Sequence, residues 1–135
     1  MTTENVRNWL ESTGIDYGES LCVGSVDANQ DRCIVVYDGK SAGSQKICVG
    51  GKAATKYQDK QVSILIHWTD SPVAAEIKAR EIYNLFYGLK STVMDGVKAI
   101  SADPGSQPEW AGRENGRCEY VVRVKIKYER DDKNA

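Results

Sequence analysis

The chain has a single histidine, His67, and no stretch of about 18 or more apolar residues. The first lack leaves a Cys/His zinc site without enough ligands, and the second excludes a membrane-spanning helix. Four cysteines occur, Cys22, Cys33, Cys48 and Cys118, and none are in C-x-x-C spacing. No metal ligand set is therefore expected. Each cysteine sits inside or beside an expected strand. Small buried residues in a reducing compartment are the plainer reading, with a disulfide pair as the alternative. A basic surplus is missing as well, because 18 Lys and Arg stand against 19 Asp and Glu for a net charge of −1. That balance argues against a general nucleic-acid coat and leaves room for a local basic face. The opening Met1-Thr2-Thr3-Glu4-Asn5 is polar and lacks an apolar signal core, so a cytoplasmic protein is expected.

No internal repeat and no linker divides the 135 residues. The expectation is one α+β domain over residues 1–130, with a frayed polar tail at 131–135.

Periodicity locates the elements. Val6, Trp9, Leu10 and Thr13 recur at helical spacing, with Thr2 or Thr3 to cap the start and Gly14 to end it. A short helix over Thr3–Thr13 follows. Leu21–Val23 reads as a weak strand and Cys33–Tyr37, a β-branched run, as a strong one. Between them Asp27-Ala28-Asn29-Gln30-Asp31 is turn-forming. The glycine-rich Asp38–Asp59 is an unusually long connection, with a short strand at Lys46–Val49. Gln61–Trp68 alternates as a strand. Ser71 as N-cap and Pro72 at the first position open a helix running to about Leu89. Ala75, Ala79, Ile82, Phe86 and Leu89 form its apolar stripe. Val97–Ser101 reads as a short strand and Asp103–Gly112 as an extended loop.

Cys118–Tyr128 closes the chain as a long strand. Tyr120, Val122, Val124, Ile126 and Tyr128 share one face, while Glu119, Arg123, Lys125 and Lys127 share the other. Burying that apolar face is worth about 1.5–3 kcal/mol per side chain, so it needs a cover. The Pro72–Leu89 helix is the natural one. The expected fold is thus an α+β sandwich, a mostly antiparallel sheet packed against a long helix, with a short N-terminal helix. An eleven-residue strand spans roughly 36 Å, about twice the usual length. Either part of it reaches past the sheet or to another subunit, or it is a twisted hairpin strand with a bulge.

No catalytic constellation emerges, and the chain is not expected to be an enzyme. Gly50-Gly51-Lys52 is followed by Ala53 where a phosphate loop needs Ser or Thr. An enzymatic reading needs a pocket holding His67 beside carboxylates. Arg113, Arg117, Arg123, Lys125, Lys127 and Arg130 form the local basic excess. They read either as a solvated strand face or as a surface for DNA or acidic partners. Trp110, beside Pro108, either folds back on the core or anchors an interface. Trp110, Arg113, Glu114 and Arg117 are the candidate interface residues, with no catalytic, cofactor or metal residue among them.

The order of elements resembles a family of small proteins of tailed bacteriophages and prophages, the minor capsid or tail terminator (tail completion) proteins. The resemblance runs through Asn29-Gln30-Asp31-Arg32-Cys33-Ile34-Val35-Val36-Tyr37 and the glycine-rich stretch that leads to Val62-Ser63-Ile64-Leu65-Ile66-His67-Trp68. It continues through the helix carrying Ala75, Ala79, Ile82 and Tyr83, the turn Gly112-Arg113-Glu114-Asn115-Gly116-Arg117, and the closing strand Glu119–Tyr128. The loop ahead of Cys33 lacks the family's usual proline, and Glu114 stands where an aspartate is more usual. The resemblance implies a structural protein without cofactor. It implies self-association in a ring, commonly hexameric, that caps the tail tube and docks to the head. The partners would be the tail tube protein and a head-completion protein, with no membrane, and DNA only as cargo passing through. The place would be the head–tail junction of the virion, reached from the host cytoplasm during assembly. The alternative from the residues alone is a small intracellular nucleic-acid or protein binding module that uses the basic face of the last strand.

Overall fold

The computed structural model describes residues 1–39 and 56–130. The expected strand Lys46–Val49, Cys48, the Gly50-Gly51-Lys52 stretch and the tail at 131–135 lie outside the described residues.

Helix α1 (Thr3–Ser12) opens on a capping box. The Thr2 hydroxyl accepts from the Asn5 backbone N–H at 3.1 Å, and the Asn5 side-chain carbonyl accepts from the Thr2 N–H at 2.8 Å. Strands β1 (Ser20–Val23) and β2 (Arg32–Asp38) are parallel, and β3 (Tyr57–Trp68) returns antiparallel to β2. Helix α2 (Pro72–Phe86) starts on Ser71, whose Oγ accepts from the Ala74 N–H at 3.3 Å, with Pro72 where no N–H is needed. Then come β4 (Lys90–Met94), β5 (Val97–Asp103), β6 (Glu109–Glu114) and β7 (Arg117–Glu129). The strand order is β1-β2-β3-β7-β5-β4, with β6 also paired to β7, and every pair except β1–β2 is antiparallel.

The expected sandwich with a long helix is corrected. Strands take 47% of the structure and helices 22%, and the sheet curls into a half-barrel. The two helices have 10 and 15 residues. The second stops at Phe86 rather than near Leu89, because Tyr87 is extended and Gly88 turns left-handed at φ 72°. The residues beyond, Thr92 and Val93 among them, form β4 instead of a last helical turn. Asp103–Gly112, expected as a loop, contains the end of β5 and most of β6.

The curl explains where the core lies. Ile34, Val36, Val62, Ile64, Ile66, Val122, Val124 and Ile126 line its concave face and are buried. Val6, Trp9 and Leu10 of α1 and Ala75, Ala79, Ile82 and Phe86 of α2 fill it, with the Trp9 and Phe86 rings 5.1 Å apart. Helix α1 packs on β1 and β2 at one edge of the sheet and on β4 at the other. One short helix thus spans the gap that the curl leaves. Asn5 and Asn8 donate to the Asp95 carboxylate after β4, at 3.1 and 2.9 Å, fastening the second edge.

The length of β7 is consumed inside the chain. It pairs with β3 from Tyr57↔Glu129 to Trp68↔Cys118. Its other edge is divided, with β5 along Lys125–Tyr128 and β6 along Arg117–Val121. The register irregularities fall opposite β7, between Ala99 and Ser101 and between Trp110 and Gly112. Of the two readings of its length, a reach past the sheet or a hairpin strand with a bulge, the pairing within the chain matches the second.

Candidate interaction surface

Strands β6 and β7 form a hairpin closed by Asn115-Gly116, with φ of 52° and 78°. Positive φ at both central residues marks a type I′ turn, for which Asn-Gly is the preferred pair. The four candidate residues all lie on this hairpin, in two places. Trp110 sits near the open end of β6, 49% exposed, its ring edge-on to Tyr120 at 5.4 Å. Arg113, Glu114 and Arg117 gather at the tip, where Glu114 pairs directly with Arg117 in the ladder.

At the tip, charge is largely committed within the molecule. Arg117 Nε lies 3.3 Å from Asp31 Oδ1, and its guanidinium donates to the Asn115 carbonyl at 2.9 Å. Arg113 donates to the Asp70 carbonyl at 3.3 Å. Glu114 is exposed and enters no ion pair among the described residues. Asn115, given no role from sequence, donates to the Ala28 carbonyl at 2.9 Å and to Asn29 Oδ1 at 3.2 Å. The hairpin tip is thereby docked on residues 27–31.

Strand β7 of the hairpin packs against α2, and two side-chain bonds tie the region around β6 to it. Arg113 reaches the residue before the helix cap, and Arg80 donates to Gln107 at 3.2 Å ahead of β6. Trp110 falls between these two tethers. The same helix exposes Val73 at 67% and Ile77 at 63%. Sequence periodicity already places Ile77 off the core stripe, in keeping with its exposure.

The basic cluster is broken up by acids on neighbouring strands. Arg123 pairs with Glu109 on β6, and Lys125 Nζ lies 3.5 Å from Asp59 Oδ2 on β3. Asp103 on β5 faces Lys125 in register. The strand alternation seen in β7 is therefore answered by carboxylates, and no continuous positive face results.

The sheet's other face is not simply solvated. Cys33, Val35 and His67 are buried there, outside the main core, under the segment joining β1 to β2. Cys33, His67 and Glu119 stand in register on β2, β3 and β7. The row has the composition of a nucleophile, base and orienting acid, but not the geometry. His67 Nδ1 lies 2.8 Å from Glu119 Oε2, while Nε2 faces the Gln30 carbonyl at 3.0 Å. Burial, with Cys22, Asp27, Glu119 and Glu19 adding to it, pushes the Cys33 thiol up to about 11, away from thiolate. A cavity of about 650 Å³ opens elsewhere, lined by Gln61, Ser63, Arg123 and Lys125 among others, and His67 is not at it.

These features describe a strand-rich protein whose polar side chains fix surface loops and leave an aromatic hairpin exposed. A family model described as "Bacteriophage tail terminator protein" matches residues 10–130, and the chain belongs to that family. Membership gives a structural role in phage tail assembly and a virion-associated protein. No curated protein matches the chain.

Proposed function

We propose that the protein self-associates in a ring that caps the finished tail tube and docks to the head. The family match across residues 10–130 carries this reading. A ring requires head-to-tail contacts, two different surfaces of one subunit meeting on its neighbours. The β6–β7 hairpin is the surface we assign to one side of that contact. It offers the half-exposed Trp110 against Tyr120, with Glu114 at the tip in no ion pair among the described residues, while α2 separately exposes Val73 and Ile77. Arg113 and Arg117 take part mainly by holding the hairpin in place. In this reading the subunit joins the tail tube protein on one side and a head-completion protein on the other. A hexamer surrounds the passage for DNA at the head–tail junction, assembled in the host cytoplasm. No step of it calls for a cofactor.

The test is negative-stain microscopy of tail tubes incubated with the purified protein, alongside light scattering of the protein alone. Rings, free or seated on one tube end, are expected. Tubes left bare by protein that stays monomeric at high concentration would remove the proposal. Trp110→Ala is expected to reduce capping while the thermal transition stays close to wild type.

A further inference from the structure

A head-to-tail contact needs a second surface, different from the hairpin and turned another way. Strand β7 separates two such surfaces. Val122, Val124 and Ile126 point into the core, and by alternation Tyr120 shares their face. Trp110 stands directly across from Tyr120, ring against ring, so its indole lies on the core side of the hairpin. Arg123 and Lys125 point the opposite way. There they stand in register with Ser63 and Gln61 of β3 respectively. Tyr37 of β2 lies beyond Ser63, and Asp103 of β5 lies on the other side of Lys125. These six residues line the cavity of about 650 Å³. An exposed indole and a cavity thus lie on opposite faces of one sheet.

The lining suits a neutral aromatic group better than a free ion. Arg123 is already paired with Glu109 and Lys125 with Asp59, so the cavity's cations are answered. A neutral guest buries no uncompensated charge there. An indole can meet the ring of Tyr37, take a cation over its face and donate its one N–H to an oxygen of Gln61, Ser63 or Asp103. The volume falls in the range of sites that take small organic groups. Trp9 and Trp68 are buried, so Trp110, 49% exposed, is the tryptophan this chain presents. We propose that Trp110 of one subunit seats in the cavity of its neighbour, between Tyr37, Ser63 and Arg123. Because knob and cavity are different surfaces on opposite faces, the contact repeats head to tail instead of closing as a symmetric pair. The proposal rests on the self-association reading and names the surface that receives the hairpin.

Light scattering of the protein alone and microscopy with tail tubes test it on wild type, Trp110→Ala and Ser63→Trp. The last variant fills the cavity floor. Gln61→Trp replaces it if thermal melts show that Ser63→Trp does not fold. Either variant alone should raise the concentration needed for assembly by roughly tenfold or more, as loss of an interface anchor does. Where wild type associates in solution, an equal mixture of the two variants is the discriminating sample. One contact survives in it, between Trp110 of the Ser63→Trp subunit and the open cavity of the Trp110→Ala subunit, so the mixture should stop at dimers. Where wild type associates only on tubes, tube capping by the filled-cavity variant decides. A filled cavity that leaves assembly at the wild-type level, or a mixture no larger than its separate components, would overturn the pairing and leave the ring reading standing. Wild type that forms no ring, free or on tubes, removes both.

Discussion

Asn115 donates its side-chain amide to two oxygens on the segment between β1 and β2, while its own backbone sits left-handed in the hairpin turn. A turn alone asks only for the backbone. The side chain makes the hairpin tip part of a larger surface. Asn115→Ala is expected to cost about 1–2 kcal/mol in urea denaturation, from the loss of solvent-exposed bonds and from a left-handed backbone that Asn tolerates better than Ala. The same variant should raise hydrogen exchange at residues 27–31, and unchanged exchange there would show the docking to be inconsequential. Asp95 does the parallel job at the other edge of the sheet. Hydrogen bonds from Asn8 and then Asn5 hold its carboxyl below the ordinary carboxylate value. A carboxylate lowered in the folded state contributes stability above its unfolded value, and loses it as pH falls through the folded one. Acid unfolding followed by circular dichroism should therefore show a shallower acid limb for Asp95→Ala. An identical limb would mean that the α1 anchor adds nothing.

At the scale of elements, β7 decides the layout. Its concave-face residues Val122, Val124 and Ile126 are essentially fully buried. Ile126→Ala is expected to lower stability by about 2–5 kcal/mol, measured by chemical denaturation, through lost burial and a cavity. The alternation in β7 was plain in the sequence, as were the β-branched run of β2 and the Ser71-Pro72 start of α2. Two other strands were not. In β6, Glu109-Trp110-Ala111-Gly112-Arg113-Glu114 contains no β-branched residue and one glycine. It is a strand because β7 offers it an edge, an effect of tertiary pairing rather than propensity. The one local clue was Asn115-Gly116, a hairpin signal that lay inside a segment read only as a charged turn. Gly116→Ala tests that turn. Nothing lies within 4 Å of an added Cβ, so the penalty is the left-handed backbone alone, at φ 78°. About 1 kcal/mol of lost stability is expected by thermal melts, and no loss would argue against the turn type. The end of α2 was misread for a related reason. Residues 90–94 gain their partner from β5, just beyond the Asp95-Gly96 turn, while the apolar stripe seemed to continue to Leu89.

For the whole molecule, the curl of the sheet is what the sequence concealed most. It rests on a parallel β1–β2 pair, a divided edge on β7 and a helix reaching both sheet edges. None of these leaves a local trace. The candidate surface was legible as a set of residues, since Trp110, Arg113, Glu114 and Arg117 share one hairpin. Its partners were not, because Ala28, Asn29 and Asp31 lie 86 or 87 positions away from the residues that bind them. That docking separates the charges that hold the hairpin from the groups left free to meet another subunit. Trp110, Val73, Ile77 and Glu114 belong to the second set. Reconstruction by cryo-electron microscopy of tail tubes capped with this protein tests the proposal most directly. The expected map is a closed ring on the tube end with each β6–β7 hairpin, Trp110 included, buried against the neighbouring subunit. A ring whose hairpins all face solvent, or tube ends carrying no ring at all, would contradict it.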